Sequence, residues 1–248
     1  MSEEMFCPKC TQTFGLGIDY CPNDGTRLHQ LTEDDLCGTT LDEKYVVKRR
    51  LGEGGMGVVY LAEHKMLCKE VALKVIRREL IVGKTGIKRF LTEARATASL
   101  CSPNTVVLYD FGVGKEGVVY YTMELLRGIS LAKHLKECGR VPWFEATKIV
   151  RQVCNSLEEA HEKGIIHRDI KPDNIFLTTR KGETAVKVLD FGLAKLISGG
   201  TSETLTKTGT ICGTPLYLSP EQAQGKAAGP ASDLYSLGIV LFEMLAGK

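Results

Sequence analysis

The sequence lacks an excess of charge of either sign. Its 248 residues include 32 Lys and Arg against 30 Asp and Glu, and only 7% are aromatic. Because no basic stripe with interleaved aromatics appears, we expect no nucleic-acid partner. No apolar run approaches the ~18 residues of a membrane helix, and residues 1–7 lack the apolar core of a signal peptide. We therefore expect a cytoplasmic protein without a membrane segment in these residues; an anchor beyond Lys248 stays open.

The cysteines are nine, an odd number that does not suit a disulfide framework. Three of them cluster near the N-terminus, where C-P-K-C at 7–10 is echoed by C-P-N-D at 21–24. This repeat resembles the two knuckles of a zinc ribbon. The candidate zinc ligands are Cys7, Cys10, Cys21 and Asp24, with His29 and Cys37 as reserves. Residues 1–30 have few apolar side chains, so zinc would supply the stability that a core does not. A metal-free tail is the alternative.

A glycine-rich stretch, G-E-G-G-M-G, occupies residues 52–57. The dinucleotide-binding version of this motif needs a helix directly after the glycines, but V-V-Y-L-A follows and predicts a strand. The glycines should therefore form a hairpin tip that covers phosphates, with an ordinary flexible turn as the alternative. The residues assigned to this loop are Leu51, Gly52, Glu53, Gly54, Gly55 and Gly57.

A lysine lies among apolar neighbours in E-V-A-L-K-V-I, residues 70–76. A lysine on a buried strand is costly without a partner. Glu93, in a stretch with helical apolar spacing, can supply one, and Lys74 would then hold nucleotide phosphates. From the strand alone, a lysine that reaches the surface from an edge strand is an equal alternative.

Two aspartates each end an apolar run within residues 165–192. Asp169 is followed by Lys171 and Asn174 in I-I-H-R-D-I-K-P-D-N, and Asp190 ends V-K-V-L-D. Phosphoryl transfer needs a carboxylate to orient a hydroxyl, oxygens for magnesium and a cation for developing charge. We predict Asp169 for the first role, Asn174 and Asp190 for the second, and Lys171 for the third. A surface loop rich in turn-forming residues is the alternative.

Residues 198–210 are polar and rich in hydroxyl groups. Arg168, directly before Asp169, is a cation that a phosphothreonine could bind, and such a contact would order this stretch. We predict Thr206 or Thr208 as the phosphorylated residue. A plain solvated linker is the alternative.

Together, the glycine loop, V-A-L-K, H-R-D-I-K-P-D-N, D-F-G and a later S-P-E resemble the eukaryotic-like serine/threonine kinases of bacteria. The resemblance covers residues 45–248. It implies an α+β, two-lobed protein kinase fold, with a β-rich N-lobe at 45–125 and a helical, incomplete C-lobe at 126–248. Residues 1–30 would be the zinc-ribbon-like module and 31–44 a linker. Relative to the family, the domain looks truncated, which would leave Glu221 without its partner and an apolar face uncovered.

The same resemblance implies an adenine site and further roles. Met123 would be the gatekeeper, Glu124 and Leu126 would offer backbone groups to adenine, and Val59, Ala72 and Phe176 would enclose the ring. His167 would pack near Phe191, Thr214 would contact Asp169 and Lys171, and Asp233 would brace the catalytic loop. The implied cofactors are ATP and Mg²⁺, with Mn²⁺ as a substitute.

The expected function is transfer of the ATP γ-phosphate to serine or threonine hydroxyls of proteins, including autophosphorylation in trans within a dimer. Two alternatives stay open. One is a pseudokinase scaffold that binds nucleotide without turnover. The other is a sensor or interaction protein whose N-terminal zinc module receives the signal.

Overall fold

The computed structural model describes residues 4–6, 13–15, 17–30, 36–81, 83–114, 117–180, 182–191 and 215–248. The chain divides into two compact units. The first consists of Met1–Thr92 and Leu108–Leu125, and the second of Glu93–Val107 and Leu126–Lys248. Among the described residues, no helix is long and apolar enough to cross a membrane.

The first unit is built on a six-stranded antiparallel sheet. Its strands are β4 (Thr40–Leu41), β5 (Tyr45–Gly54), β6 (Gly57–His64), β7 (Lys69–Ile76), β8 (Leu108–Val113) and β9 (Val119–Glu124). They lie in the order β4-β5-β6-β7-β9-β8. Because β7 and β9 are interior strands, β-branched and aromatic residues along them are buried on both faces.

The two faces of this sheet have different neighbours. One face carries a core whose buried members include Val47, Tyr60, Ala62, Leu73 and Tyr120. Tyr121 lies on the opposite face, since side chains alternate along a strand. Its ring centroid is 6.4 Å from that of Phe90, a fully buried residue of helix α1 (Gly83–Ala98).

Residues 36–44 pack on this sheet, although the sequence assigns them to a linker. Thr40 pairs with Val46, and Leu41, which is buried, pairs with Tyr45. The carboxylate of Asp42 accepts a hydrogen bond from the Tyr120 hydroxyl at 2.6 Å. This bond, together with burial as the larger cause, raises the pKa of Tyr120. The polar composition of the segment concealed its buried residue Leu41 and the partly buried Leu36 and Cys37, which pack against the same core.

A small sheet near the N-terminus has the order β2-β1-β3. Its strands are β1 (Glu4–Phe6), β2 (Thr13–Gly15) and β3 (His29–Gln30). Two buried residues, Cys21 and Leu28, form a minimal core with Met5 and Phe14 packed against it. A core of this size fits the expectation that the segment has too few apolar side chains for independent stability.

The second unit combines helices with a three-stranded sheet of order β10-β11-β12. The strands are β10 (Gly128–Ser130), β11 (Ile175–Arg180) and β12 (Glu183–Val188). The helices in its described part are the C-terminal end of α1 from Glu93 onward, α2 (Leu131–Cys138), α3 (Trp143–Glu162), α4 (Pro220–Ala223) and α5 (Pro230–Ala246). One-turn 3₁₀ helices lie at Arg78–Leu80 in the first unit and at Pro172–Asn174 and Pro215–Tyr217 in the second.

Apolar residues recur at helical spacing in residues 143–161 and predict a helix there, which helix α3 confirms. It begins directly after Pro142 and ends before Gly164, whose φ of +71° suits a glycine. The inward positions that this spacing predicts are Ala146, Ile149, Val150, Val153, Leu157 and Ala160. All are buried in the core of the second unit except Val150, which is partly buried and packs against that core. On α5, by contrast, Phe242 is 62% and Leu234 53% exposed.

Candidate active site

The carboxylate of Asp169 is held by two side chains that follow it in the chain. Lys171 Nζ lies 2.8 Å from Asp169 Oδ2 and donates to Oδ1 at 3.1 Å. Asn174 Nδ2 donates to Asp169 Oδ2 at 3.0 Å and to the Asp169 carbonyl at 2.7 Å. The 3₁₀ turn at Pro172–Asn174 brings Asn174 back to Asp169. A carboxylate oriented in this way, and about a quarter exposed, can accept a hydrogen bond from an incoming hydroxyl.

The backbone before Asp169 adopts a costly conformation that buried Asp233 stabilises. Arg168 has a φ of +69°, in the left-handed region that non-glycine residues rarely occupy. Asp233, on helix α5 and 1% exposed, accepts the backbone amides of His167 at 2.9 Å and Arg168 at 2.8 Å. The expectation that Asp233 braces this loop is confirmed.

His161 also contacts Asp233, a role that the sequence did not reveal. Its Nε2 lies 2.8 Å from Asp233 Oδ2. The sequence places His161 in no recognisable motif and so predicts a surface or packing residue; the structure has it in the last turn of α3. The signal available in the sequence was indirect. A buried aspartate needs several donors, and a histidine near the end of an adjacent helix is a candidate for one.

Gln222 holds the other side of the same strained residue. Its Nε2 donates to the Arg168 carbonyl at 2.9 Å. Gln222 is itself fixed by a capping box with Ser219, in which Ser219 N donates to Gln222 Oε1 at 3.1 Å and Gln222 N donates to Ser219 Oγ at 3.4 Å. The resembled family usually has A-P-E at this point, and the capping box gives a structural reason for the serine of S-P-E in this chain.

Glu221, in the same helix α4, has a partner, contrary to the expectation from the family resemblance. Its carboxylate accepts a hydrogen bond from the hydroxyl of Ser232. That bond is the main reason why the pKa of Glu221 is lowered. The Ser232 hydroxyl in turn accepts the backbone amide of Gly229 at 3.1 Å, which fixes the start of helix α5.

Asp190 also has left-handed backbone, with a φ of +58°. His167 Nε2 lies 2.7 Å from the carbonyl oxygen of Leu189, directly before it. The His167 ring meets the buried Phe191 ring edge-to-face with centroids 4.7 Å apart. The expected packing of His167 near Phe191 is thus present. In addition, the Leu189 amide donates to the Asn174 carbonyl at 2.9 Å. This bond joins the segment of Asn174 to the segment of Asp190, the two candidate metal ligands.

In the first unit, the glycine-rich stretch forms a hairpin, as predicted. Gly54 pairs with Gly57, so residues 55 and 56 form the tip. Gly57 has a φ of +154°, and a Cβ there would lie 1.8 Å from the Val75 carbonyl oxygen. Glu53 forms ion pairs with Arg50 and Arg77. A Cβ added at Gly52, Gly54 or Gly55 would meet no other atom within 4 Å. This open space suits a loop whose backbone approaches a ligand closely.

The predicted nucleotide residues of the first unit share one face of its sheet. Lys74 is directly opposite Val59 and Tyr121, while Ala72 is opposite Met123. Residues directly opposite in antiparallel strands point to the same side, and alternate residues do so along one strand. The register therefore places Val59, Ala72, Lys74 and Met123 on the face opposite the Tyr60 and Leu73 core.

Lys74 is 7% exposed on interior strand β7, so the alternative of an edge-strand lysine is wrong. Its Nζ lies 5.9 Å from the Tyr121 ring centroid. Glu93 is half-buried in helix α1 and belongs, like Leu126 and Phe176, to the second unit. The Lys74–Glu93 pair and the adenine contacts of Leu126 and Phe176 stay predictions.

Several predicted residues lie outside the described part of the chain. They are Cys7, Cys10, Thr206, Thr208 and Thr214. Among the described residues, no group of three or more His, Cys, Asp or Glu side chains is arranged to hold a metal ion.

Comparison with known proteins agrees with this geometry. The chain is 41% identical over 216 residues to serine/threonine-protein kinase pkn3 of Myxococcus xanthus, covering 86% of this chain and 40% of that protein. It is 41% identical to PrkC of Bacillus subtilis (86% and 32%) and 40% identical to PknA of Mycobacterium tuberculosis (85% and 48%). The chain thus spans 32% to 48% of the length of these relatives.

The crystal structure of the Mycobacterium tuberculosis PknI kinase domain superposes with a TM-score of 0.70 at 28% identity, covering 86% of this chain and 78% of that one. The family model described as the protein kinase domain matches residues 45–248. The chain therefore belongs to the protein kinase domain family, and its relatives are bacterial serine/threonine kinases.

Proposed function

We propose that this chain is an ATP-dependent protein kinase that transfers the γ-phosphate to serine or threonine hydroxyls of proteins in the cytoplasm. The observation that carries the proposal is the contact of Lys171 and Asn174 with the Asp169 carboxylate. Asp169 orients the substrate hydroxyl and accepts its proton, while Lys171 neutralises charge that develops on the transferred group. The names of the relatives support serine and threonine as acceptors.

The cofactor residues fit ATP and a hard divalent cation, Mg²⁺ or Mn²⁺. Asn174 donates to Asp169 through its amide nitrogen, so its amide oxygen is the acceptor available to a cation. The Asp190 carboxylate would be the second oxygen ligand. Lys74 would hold phosphates beneath the glycine hairpin 52–57, and Met123 with Ala72 and Val59 would line the adenine site. The bound cation would supply charge neutralisation at the phosphates.

Control of this activity is proposed to lie in residues 198–210. Phosphorylation of Thr206 or Thr208, by a second copy of the chain acting in trans, would give Arg168 an anionic partner. Thr214 would then contact Asp169 and Lys171. Arg168 suits this role because its backbone is fixed on both sides by Asp233 and Gln222, so its side chain starts from a defined position.

Residues 1–30 are proposed to form a separate zinc-binding module. The turn at Cys21 supports this, since the Asn23 amide donates to Cys21 Sγ at 3.4 Å and the Gly25 amide donates to the Cys21 carbonyl at 2.9 Å. An amide that donates to sulfur stabilises a thiolate, the form that ligates zinc. Asp24, whose Oδ1 accepts the Thr26 amide at 2.9 Å, is the proposed fourth ligand.

Zinc content by elemental analysis tests this module. We expect one zinc per chain, lost in Cys21→Ser and retained in the control Cys68→Ser, which replaces an exposed cysteine. Equal zinc in both variants, or none in the wild type, would remove the proposal. If zinc removal changed the kinase rate, the sensor alternative would gain support.

Radiolabelled phosphate incorporation tests the kinase proposal. The wild-type chain with Mg²⁺ and ATP should label itself and a general protein acceptor at serine and threonine, and Lys74→Met should abolish labelling. The matched control is Lys69→Met on the same strand, because Lys69 is exposed and contacts the Tyr109 ring. Absence of labelling by the wild-type chain, with nucleotide binding intact, would favour the pseudokinase scaffold.

A further inference from the structure

The left-handed conformation of Asp190 is held from both sides. A non-glycine residue rarely adopts this conformation, and it persists where surrounding contacts determine it. On the preceding side, His167 Nε2 lies 2.7 Å from the Leu189 carbonyl oxygen. On the following side, the Thr97 hydroxyl donates to the Phe191 carbonyl oxygen at 3.1 Å. Asp190 therefore lies between two carbonyl groups that are each fixed by a distant side chain.

Thr97 is unusual among these contacts because it comes from helix α1. It lies one turn after Glu93 and is 3% exposed. A helical threonine commonly donates to the carbonyl four residues earlier within its own helix. Here the hydroxyl instead reaches a residue 94 positions further along the chain. Since Phe191 is fully buried, the bond lies in a site from which water is excluded.

We propose that Thr97 is a positioning residue for the metal ligand Asp190. By fixing the Phe191 carbonyl, the Thr97 hydroxyl sets the direction in which the neighbouring Asp190 carboxylate points. Thr97 acts on the metal ligand through this one hydrogen bond. This inference rests on the proposed function, in which Asp190 binds the nucleotide-associated cation.

The bond predicts a specific defect in the variant Thr97→Val, which keeps the shape of the side chain and removes the donor. The defect should appear in the coupling between Mg²⁺ and nucleotide, because Asp190 acts only through the cation. Thr97→Ser keeps the hydroxyl and should behave like the wild type. Thr105→Val is the matched control, since Thr105 is 1% exposed in the same unit and its hydroxyl lies 2.6 Å from Ser156 Oγ instead.

Calorimetric binding of a non-transferable ATP analogue, with saturating Mg²⁺ and with EDTA, measures this coupling as the ratio of two Kd values. We expect Thr97→Val to reduce the ratio about fivefold, the effect of one lost hydrogen bond. Thr97→Ser should keep it within about twofold, and Thr105→Val should lower the unfolding temperature without changing the ratio. If Thr97→Val does not fold, the pair Thr97→Ser and Thr97→Ala, which differ by the hydroxyl alone, decides the question.

An unchanged ratio in Thr97→Val, or equal ratios in Thr97→Ser and Thr97→Ala, would overturn the inference. A wild-type chain whose nucleotide affinity ignores Mg²⁺ would overturn it too, because Asp190 would have no cation to bind. Mg²⁺-dependent nucleotide binding without phosphate transfer, by contrast, would contradict the proposed catalysis and still support the role of Thr97.

Discussion

The carboxylate of Asp233 accepts the backbone amide of Arg168 at 2.8 Å, although 65 positions separate the two residues. It also accepts the His167 amide and contacts His161. One buried carboxylate on helix α5 therefore determines the backbone path that leads into Asp169. The proposed catalytic geometry depends on this contact as much as on the residues of the catalytic loop itself.

Replacing Asp233 with Asn should destabilise the second unit and suppress phosphate transfer together. An amide cannot accept from three donors, and its own N–H₂ would face one of them, at a cost of about 3 kcal/mol. Chemical denaturation and a phosphate-transfer assay measure the two effects. Asp173→Asn is the control, since Asp173 is exposed in the adjacent 3₁₀ turn. Unchanged stability in Asp233→Asn would contradict the bracing role.

Replacing Gln222 with Leu should lower the rate of phosphate transfer about tenfold, because the Arg168 carbonyl loses its donor and the capping box is broken. The expected loss of stability is about 1 to 2 kcal/mol. Gln224→Leu, at an exposed position of the same helix end, should change neither quantity. If the two variants had the same rate and stability, the contact of Gln222 with Arg168 would not contribute to phosphate transfer.

The sequence predicted these sites unevenly, for a physical reason. Local patterns were sufficient for the glycine hairpin and helix α3 and pointed to the Asp169 cluster, since each depends on residues close together in the chain. They left two alternatives for Lys74, because whether its strand is interior depends on pairing with distant strands. The contacts of His161 with Asp233 and of Gln222 with Arg168 join residues 72 and 54 positions apart. No spacing rule connects such pairs.

Residues 36–44 show the opposite difficulty. Their polar composition is typical of a linker, yet Leu41 is buried and Asp42 bonds to Tyr120. Asp42 and Glu43 both have positive φ, which forms a tight turn before β5. The turn depends on tertiary contacts that propensity does not encode.

Replacing Gly57 with Ala should destabilise the first unit. A Cβ at this position would lie 1.8 Å from the Val75 carbonyl oxygen, and the φ of +154° is one that L-residues rarely adopt. The strands cannot move far enough apart to relieve this clash without breaking the pairing of β6 with β7. We therefore expect the free energy of unfolding to fall by more than ~2 kcal/mol. Thermal denaturation measures it. Gly55→Ala, which meets nothing within 4 Å, should leave the unfolding temperature unchanged, and equal losses in both would refute the steric argument.

Glu159 should make the stability of the second unit depend on pH. Its carboxylate accepts from Lys163 and from the amides of Cys101 and Ser102, and the Lys163 bond is the main cause of its lowered pKa. A lowered folded-state pKa contributes stability above the ordinary glutamate range, near 4.3, which is lost as pH falls through the folded pKa.

Denaturation of Glu159→Gln across pH 3 to 7 therefore gives a flatter profile than the wild type, with roughly equal stabilities at the acid end and lower stability near neutrality. Glu158→Gln, at the exposed neighbouring position, should retain the wild-type profile. Parallel profiles for wild type and Glu159→Gln would show that these bonds carry no net stability.

The central claim is that Asp169 performs chemistry and not nucleotide binding. The most direct measurement is the rate of phosphate transfer at saturating ATP and Mg²⁺ for Asp169→Asn, alongside the Kd for ATP and the control Asp173→Asn. We expect a loss of at least ~100-fold in rate, the contribution of a positioned general base, with the Kd changed by less than about twofold. An Asp169→Asn chain that transferred phosphate at the wild-type rate would contradict the account.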